Sequence, residues 1–276
     1  MSSLTGRVAL VSGAARGQGR SHCVRLAEEG GDVVGFDVCA SVAGTPYPPS
    51  TPDDLAETAR LVEQAGGRAL LRQADVRDSA AVRAVVDAGL AEFGRLDVVV
   101  ANAGIVSPAS AIELTDQAWV TLLEVNLTGV WNTVRAALPA MLAAGTGSIV
   151  ITSSANGGIK APAHLAHYAA SKFGVVGLAR SLATELGPRG IRVNTVHPTA
   201  VATDMIHNEA TYRLFAPDVA EPTAADVAPV FAGFHSLPVP WVDPTDVSEA
   251  VVWLASDRAR FVTGVALPVD AGLSAR

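Results

Sequence analysis

The stretch Val8-Ala9-Leu10-Val11-Ser12-Gly13-Ala14-Ala15-Arg16-Gly17-Gln18-Gly19 decides the fold of this chain. Its first five residues form a short apolar run typical of a buried strand, and three glycines follow at the spacing G-x-x-x-G-x-G. Glycine permits a tight turn and close approach of a pyrophosphate, and a helix that begins near Gly17 points free N–H groups at the phosphates. Many glycine-rich turns are only structural, so the strand-turn-helix order is what predicts a nucleotide-binding βαβ unit. The cofactor contacts predicted in this turn are Gly13, Arg16, Gly17, Gln18 and Gly19.

A second strand is predicted from Asp32 to Asp37, and it ends in a carboxylate. In a βαβ unit this position meets the adenosine ribose, where an acid accepts hydrogen bonds from the hydroxyls and repels a 2′-phosphate. Asp37, followed by Val38, therefore favours NAD as the cofactor over NADP. Arg16 favours the opposite choice, because an arginine in this turn can bind a phosphate, but the carboxylate at the strand end decides for NAD.

Tyr168 and Lys172 are four residues apart, which on a helix places a phenol and an ammonium on one face. A free tyrosine has a pKa of about 10, and a nearby positive charge stabilises its phenolate and lowers that pKa. Alone the pattern is weak, since a surface lysine beside a half-buried tyrosine is common. Together with the nucleotide-binding turn, it predicts proton chemistry beside the cofactor.

Short apolar runs alternate with helical patterns along the chain, and this alternation predicts a parallel sheet with helices on both faces. No second domain is indicated, so residues 1–276 are expected to form one α/β domain. One long apolar helix is predicted from Leu114 to Leu142. The further strand candidates are Ala69 to Gln73, Leu96 to Ala101, Ser148 to Thr152, Arg192 to His197 and Val265 to Val269.

The composition fits a single domain of 276 residues with 49% hydrophobic residues. A net charge of −7 argues against nucleic acid and anionic membranes as partners. The chain has no apolar run of membrane-spanning length, and its first strand begins by about Arg7, so a cytoplasmic location is expected. Cys23 and Cys39 are expected to be reduced thiols. The histidines lack metal-site spacing, and no metal is predicted.

From these features the chain resembles the short-chain dehydrogenase/reductase family over nearly its whole length. The further stretches that carry the resemblance are Asp75-Val76, Asn102-Ala103-Gly104, Asn126, Ser153-Ser154, His197 to Thr203, Trp253 to Asp257, Val262-Thr263-Gly264 and Val269-Asp270. The resemblance implies a single Rossmann-type doubly wound domain of seven parallel strands in the order 3-2-1-4-5-6-7. It also implies hydride transfer between NAD and a secondary alcohol or its ketone.

The resemblance implies a role for each residue of a catalytic set. Tyr168 would be the general base, Ser154 would bind the substrate oxygen, Lys172 would lower the pKa of Tyr168 and hold the nicotinamide ribose, and Asn126 would anchor a water. Ser154 lies 14 positions before Tyr168, one more than is commonest in the family, so Ser153 remains an alternative. The other implied cofactor contacts are Asp75, Val76, Asn102, Ala103, Gly104, Val125, Tyr168, Lys172, Pro198, Thr199, Val201, Thr203 and Met205, of which Thr199 stands where the family usually has glycine.

Three stretches resemble the mycofactocin-associated subgroup, which includes carveol-dehydrogenase-like enzymes: Gly17 to His22, Cys39 to Asp54 and His235 to Val242. This narrower resemblance implies a terpenol-like substrate and a tightly held NAD that a redox partner reoxidises in place.

Two segments interrupt the strand-helix alternation. Residues 39–52 are proline-rich and leave the strand directly after Asp37, so they form either a lid on the cofactor or a tolerated insertion. Residues 204–246 interleave aromatic residues with prolines, and they either cover a hydrophobic substrate or pack an oligomer interface.

Two alternative functions remain open from the sequence. One is an NADPH-dependent ketoreductase that exchanges its cofactor freely, and the other is a non-catalytic nucleotide-sensing protein. The breadth of the apolar helix from Leu114 to Leu142 indicates a symmetric homo-oligomer, which we expect to be a homotetramer.

Overall fold

A computed structural model, which describes residues 3–276, contains one seven-stranded parallel sheet in the order β3-β2-β1-β4-β5-β6-β7. This confirms the predicted fold class and strand order. The strands are β1 Val8–Ser12, β2 Asp32–Asp37, β3 Ala69–Gln73, β4 Val98–Ala101, β5 Gly147–Thr152, β6 Ile191–Pro198 and β7 Ala266–Val269.

Helices cover both faces of the sheet and divide the core into two layers. Helices α3, α5 and α7 pack on one face, and α1, α2 and α10 pack on the other. The central strands β1 and β4 are buried along their whole length, which explains their continuous apolar sequences. The helices are α1 Gly17–Glu28, α2 Pro52–Gln64, α3 Ser79–Phe93, α4 Asp116–Leu123, α5 Gly129–Ala144, the single turn α6 Ala155–Gly158, α7 Ala166–Leu186, α8 Glu209–Phe215, α9 Ala224–Phe234 and α10 Pro244–Ala255.

The strand predicted from Leu96 begins two residues later, at Val98. The reason lies in the side chain of Asp97, whose Oδ2 accepts a hydrogen bond of 2.8 Å from the backbone N–H of Val8. At the start of the β1/β4 pair, a side-chain carboxylate therefore accepts the hydrogen bond that a backbone carbonyl accepts in a regular sheet.

The long apolar helix predicted from Leu114 to Leu142 is interrupted by a π-helical turn. Helix α4 ends at Leu123, residues Glu124–Thr128 are π-helical, and α5 continues from Gly129. Such turns insert one residue into an α-helix and are frequent at functional sites. Asn126, a predicted site residue, lies in this turn and is buried.

Helix α2 begins with a capping box. Thr51 is the N-cap, its hydroxyl accepts the N–H of Asp54, and the Asp54 carboxylate accepts the N–H of Thr51 in return. This capping box fixes the end of residues 38–51, which contain no helix or strand and are called the insertion loop below.

None of the helices in residues 3–276 is long and apolar enough to cross a membrane. Within the same residues, no three His, Cys, Asp or Glu side chains are grouped in a way that could hold a metal ion.

Candidate active site

The carboxyl ends of β1, β2 and β4 open into one cavity, where ligands bind in open α/β sheets. The insertion loop closes one side of the cavity with residues that include Tyr47 and Ser50. The predicted cofactor residues that line it are Gly13, Arg16, Gly17, Gln18, Gly19, Asp37, Val38, Asp75, Val76, Asn102, Ala103, Gly104, Val125, Thr203 and Met205. Five predicted cofactor residues lie outside this lining: Tyr168 and Lys172 on α7, and Pro198, Thr199 and Val201 at and after the end of β6.

The glycine turn requires glycine at each of its three positions. Gly13 and Gly17 have φ values of 69° and 54°, which side chains rarely adopt. A Cβ on Gly19 would lie 1.8 Å from the carbonyl oxygen of Gly13, so the first turn of α1 packs directly on the end of β1. The turn therefore brings the N-terminus of α1 to the cavity.

Asp37 is buried and accepts three hydrogen bonds from the protein. Oδ2 accepts the N–H of Ala15 at 3.1 Å, and Oδ1 accepts the N–H of Cys39 at 3.2 Å and the hydroxyl of Ser50 at 2.6 Å. The carboxylate thus joins the glycine turn to the insertion loop. The sequence identified Asp37 as a ribose acceptor but gave no sign of this second contact with Ser50.

The insertion loop is attached to the rest of the cavity at two further points. Arg16 donates to the carbonyl of Pro48 and forms an ion pair of 2.8 Å with Asp204, and its guanidinium lies 5.9 Å from the ring centroid of Tyr47. The phenol oxygen of Tyr47 accepts the N–H of Val106 at 3.3 Å. The loop therefore crosses the cavity from the end of β2 to the segment after β4. The sequence left a lid and a tolerated insertion as alternatives for this loop, and it did not single out Tyr47 or Ser50, because contacts across a cavity leave no local pattern.

Tyr168 and Lys172 lie one turn apart on α7, as their spacing predicts. The Lys172 Nζ atom donates to the carbonyl of Thr152 at 2.8 Å and lies 5.7 Å from the ring centroid of Tyr168. Burial lowers the pKa of Lys172 to about 8. Burial also raises the pKa of Tyr168, and a hydrogen bond from the Ser154 hydroxyl opposes that rise by favouring the phenolate. The lowering of the Tyr168 pKa by Lys172 stays a prediction.

The two neighbouring serines point in different directions. The Ser154 side chain lies near Tyr168, whose pKa its hydroxyl lowers, whereas the Ser153 hydroxyl donates to the backbone carbonyl of Lys172 at 3.0 Å. A Cβ on Gly158 would lie 2.2 Å from Ser153 Oγ, so no space adjoins that hydroxyl. The geometry therefore favours Ser154 over Ser153 for contact with a substrate.

Asn126 connects the π-helical turn to the segment after β4. Its Oδ1 accepts the N–H of Ile105 at 2.8 Å, and its Nδ2 donates to the carbonyl of Ile105 at 2.8 Å. A Cβ on Gly104 would lie 3.4 Å from Lys172 Nζ and 3.5 Å from Asn126 Oδ1, so these three residues meet. Both ends of the Asn126 side chain are occupied, and the predicted water between Asn126 and Lys172 stays a prediction.

Residues 204–246, the cover segment, contain α8, α9 and a cluster of aromatic rings. The ring centroids of Phe231 and Phe215 are 4.6 Å apart, and Trp241 lies 6.3 Å from Phe231. His207 packs edge-on to Trp241 at 4.6 Å. The predicted aromatic character of this segment thus forms one continuous apolar cluster after β6.

His235 attaches the cover segment to the loop after β6. Its Nε2 lies 2.7 Å from the hydroxyl of Thr199, and its Nδ1 lies 2.6 Å from the carbonyl of Val239. Thr199, which stands where glycine was expected, therefore uses its side chain to hold the cover segment.

Known proteins match this chain over nearly its whole length. The family model described as short chain dehydrogenase matches residues 7–213. The (-)-trans-carveol dehydrogenase of Rhodococcus erythropolis is 50% identical over 274 residues, which cover 99% of each chain. The crystal structure of carveol dehydrogenase from Mycobacterium avium in complex with NAD has a TM-score of 0.98 and 51% identity over 100% of each chain. That of a short chain dehydrogenase from Mycobacterium paratuberculosis bound to NAD has a TM-score of 0.91 and 42% identity, covering 99% of this chain and 100% of that one.

Proposed function

The chain belongs to the short-chain dehydrogenase family, and from this premise we propose that it interconverts a hydrophobic secondary alcohol and its ketone with NAD. The substrate we propose is terpenol-like, as carveol is. The observation that carries the proposal is the Tyr168-Lys172 pair on one face of α7, where Lys172 Nζ donates to the Thr152 carbonyl at the end of β5 and lies beside Gly104 of the nucleotide cavity.

The cavity fits NAD in three respects. Its glycine turn admits no side chain where a pyrophosphate would approach. Asp37 places a carboxylate at the end of β2, where a ribose is expected. Gln18 lines the cavity, and its buried Oε1 has no hydrogen-bond partner among residues 3–276, so a ligand would satisfy it. By these residues NAD would be held with its phosphates at the N-terminus of α1.

NAD, when bound, accepts the hydride from the alcohol carbon. The Tyr168 phenolate takes the hydroxyl proton as general base, and the Ser154 hydroxyl donates a hydrogen bond to the substrate oxygen as it becomes a carbonyl. Lys172 holds a positive charge on the same helix face and thereby favours the phenolate. Asn126 fixes the segment that contains Gly104 and Ile105 against this site.

The composition of the cover segment supports our proposal that the substrate is uncharged and apolar. Its aromatic cluster follows β6 at the carboxyl edge of the sheet, and His235 joins this segment to Thr199 directly after that strand. Arg213 is the one Lys or Arg in residues 204–246, and it is already paired with Glu209 at 2.6 Å. A phosphorylated or coenzyme A-linked substrate would lack a free cation there.

The attachments of the insertion loop support retention of NAD between turnovers. Ser50 holds the loop on Asp37, and Arg16 holds it through Pro48 and joins Asp204 of the cover segment. A nucleotide beneath this loop leaves only after these contacts open. In our proposal a redox partner then reoxidises the bound NADH in place, as the resemblance to the mycofactocin-associated subgroup implies.

We also propose that the enzyme is a cytoplasmic homotetramer. Trp119 and Val120 of α4 and Phe173 of α7 are 38%, 45% and 45% exposed, on two helices that pack against each other. Exposed apolar groups on adjacent helices suit burial against a second copy. Light scattering on the purified protein tests this, and a monomer at micromolar concentration contradicts it.

One experiment separates the proposed function from its alternatives. The protein is purified without added nucleotide, desalted and analysed for NAD, NADP and their reduced forms. We expect NAD to remain bound and carveol to reduce it once, with further turnovers only when an artificial electron acceptor is present. Purification without nucleotide and ordinary saturation by free NADPH would indicate the exchanging ketoreductase. Bound nucleotide that no alcohol or ketone alters would indicate the sensing protein.

A further inference from the structure

His197 is a buried histidine that touches the catalytic set without facing the cavity. It lies near the end of β6, has no exposed surface, and holds its Nδ1 atom 3.0 Å from the backbone carbonyl oxygen of Ser154. Its Nε2 atom lies 2.7 Å from the hydroxyl of Thr195 on the same strand. Both ring nitrogens therefore have partners, and one of them is the backbone of Ser154, whose hydroxyl lowers the pKa of Tyr168.

These two contacts define how the ring is protonated. A carbonyl only accepts hydrogen bonds, so Nδ1 carries the hydrogen and donates it to Ser154. In the neutral ring Nε2 then accepts from the Thr195 hydroxyl. Burial is the main cause of a lowered His197 pKa; Lys172 and Arg180 act in the same direction, and they outweigh, together with burial, the opposing effects of the Ser154 carbonyl and Asp270. The ring is therefore neutral and held in one tautomer.

Ser154 needs such a support because the sheet no longer holds it. The last ladder hydrogen bond at this end of β5 is from the N–H of Ser153 to the carbonyl of Val196. Beyond it the chain turns away through Gly157, which has φ 113°. A Cβ on Gly158 would lie 3.0 Å from two atoms of the His197 ring, so the ring is packed closely under this turn.

We propose that His197 is a positioning residue that aligns the Ser154 hydroxyl with Tyr168 and the substrate oxygen. The proposal rests on the proposed function, because it assigns His197 to the alcohol-oxidising set. Thr195 fixes the ring, the ring fixes the Ser154 carbonyl, and the Ser154 backbone sets where its hydroxyl points. Misplacement of a reacting group by about 1 Å can lower a rate by about 100-fold, so this support controls the chemical step.

Two substitutions of His197 separate the hydrogen bond from the packing. Asparagine places its Nδ2 atom as many bonds from the backbone as the histidine Nδ1, so His197→Asn keeps a donor for Ser154. His197→Leu fills much of the space of the ring with an apolar side chain but leaves the Ser154 carbonyl without this donor. Thr195→Val, which preserves shape and removes only the hydroxyl, is a milder change that tests the same chain of contacts.

The rate of reduction of bound NAD by a secondary alcohol is measured in a single turnover for each variant. We expect His197→Leu to lower that rate by about 10- to 100-fold, with nucleotide content and the half-saturating alcohol concentration little changed. We expect His197→Asn to recover most of the loss and Thr195→Val to fall between. Equal losses in the Leu and Asn variants, or wild-type rates in the Leu and Val variants, would overturn the proposal. If His197→Leu does not fold, a wild-type rate in Thr195→Val overturns it.

Crystal structures of the wild type and the folded variants give a readout that needs no substrate. We expect the wild type to hold Ser154 Oγ within hydrogen-bond distance of the Tyr168 phenol oxygen, His197→Leu to lose that hydrogen bond and His197→Asn to keep it. If no alcohol reduces the wild-type cofactor but this difference is found, the proposed function fails and the positioning role stands. An intact Ser154 to Tyr168 hydrogen bond in His197→Leu removes the role whatever the activity.

Discussion

Replacing Ser50 by alanine should speed the release of the nucleotide. The Ser50 hydroxyl donates to Asp37 Oδ1 at 2.6 Å, and the two residues are 8% and 9% exposed. A hydrogen bond to a charged acceptor contributes about 1.5–3 kcal/mol to the closed arrangement. The substitution removes this bond and leaves Oδ1 with only the longer contact to the N–H of Cys39, at 3.2 Å.

The size of the effect follows from the contacts that must open. If the insertion loop has to leave Asp37 before the nucleotide does, the closed state loses about 2 kcal/mol while the open state is unchanged. At about 1.4 kcal/mol for each factor of ten, release should become about 30-fold faster. Arg16 and Tyr47 still hold the loop, so the variant should bind nucleotide but exchange it.

The assay measures NADH leaving the protein. Wild type and Ser50→Ala are loaded with NADH and mixed with a large excess of NAD, and the loss of bound-NADH fluorescence is followed. Ser41→Ala is the matched control, because Ser41 is an exposed serine of the same loop. Equal release rates for Ser50→Ala, Ser41→Ala and wild type would refute the view that the Asp37 contact closes the loop.

Three further outcomes are expected. Tyr168→Phe should lower single-turnover NAD reduction by about 10²- to 10⁴-fold with unchanged bound nucleotide, and a near-normal rate would remove Tyr168 as the base. Asp37→Asn should weaken the preference for NAD over NADP by about 1–3 kcal/mol, judged from dissociation constants of nucleotide-free protein, and an unchanged ratio would exclude Asp37 from ribose recognition. Lys172→Met should raise the free energy of unfolding at pH 7 by about 2 kcal/mol in nucleotide-free protein, because a buried ammonium is removed and only the bond to the Thr152 carbonyl is lost. The folded-state pKa of Lys172, about 8, lies below its ordinary value of 10.5, so the folded wild type binds fewer protons than the unfolded chain between these values and gains stability as pH rises through them. The advantage of Lys172→Met should therefore shrink from pH 8 to pH 10.5 in denaturant titrations, and a constant difference would contradict the pKa assignment.

Local sequence was sufficient for the sheet and for the glycine turn. The bounds of β1, β2 and β3 agree with the predicted ones. For β1 and β2 the reason is burial inside a parallel sheet, whereas β3 is a partly exposed edge strand that ends in Arg72 and Gln73. The start of α2 at Pro52 follows from Thr51 and Asp54, which are neighbours in the chain. The late start of β4 did not follow from sequence, because it depends on a hydrogen bond from Val8 to the distant Asp97.

The sequence named residues for the candidate site but did not show which of them contact one another. The four-residue spacing of Tyr168 and Lys172 on one helix face survives in the structure because it is set by helix geometry. The choice between Ser153 and Ser154 was open, since adjacent residues beyond a strand end point in directions that only the following turn decides. The contacts of Tyr47, Ser50 and His197 likewise join residues that are far apart in the chain.

By itself the sequence determined the parallel α/β fold, the nucleotide turn, the carboxylate that favours NAD and the tyrosine-lysine pair, because each depends on residues within one or two elements. Only the tertiary structure decided that Asp37 also holds the insertion loop, that the long helix contains a π-helical turn at Asn126, and that His197 supports Ser154. These features arise where the ends of separate strands converge. Strand order and packing decide which side chains make contact there. Neither secondary-structure propensity nor the spacing of residues along the chain predicts those contacts.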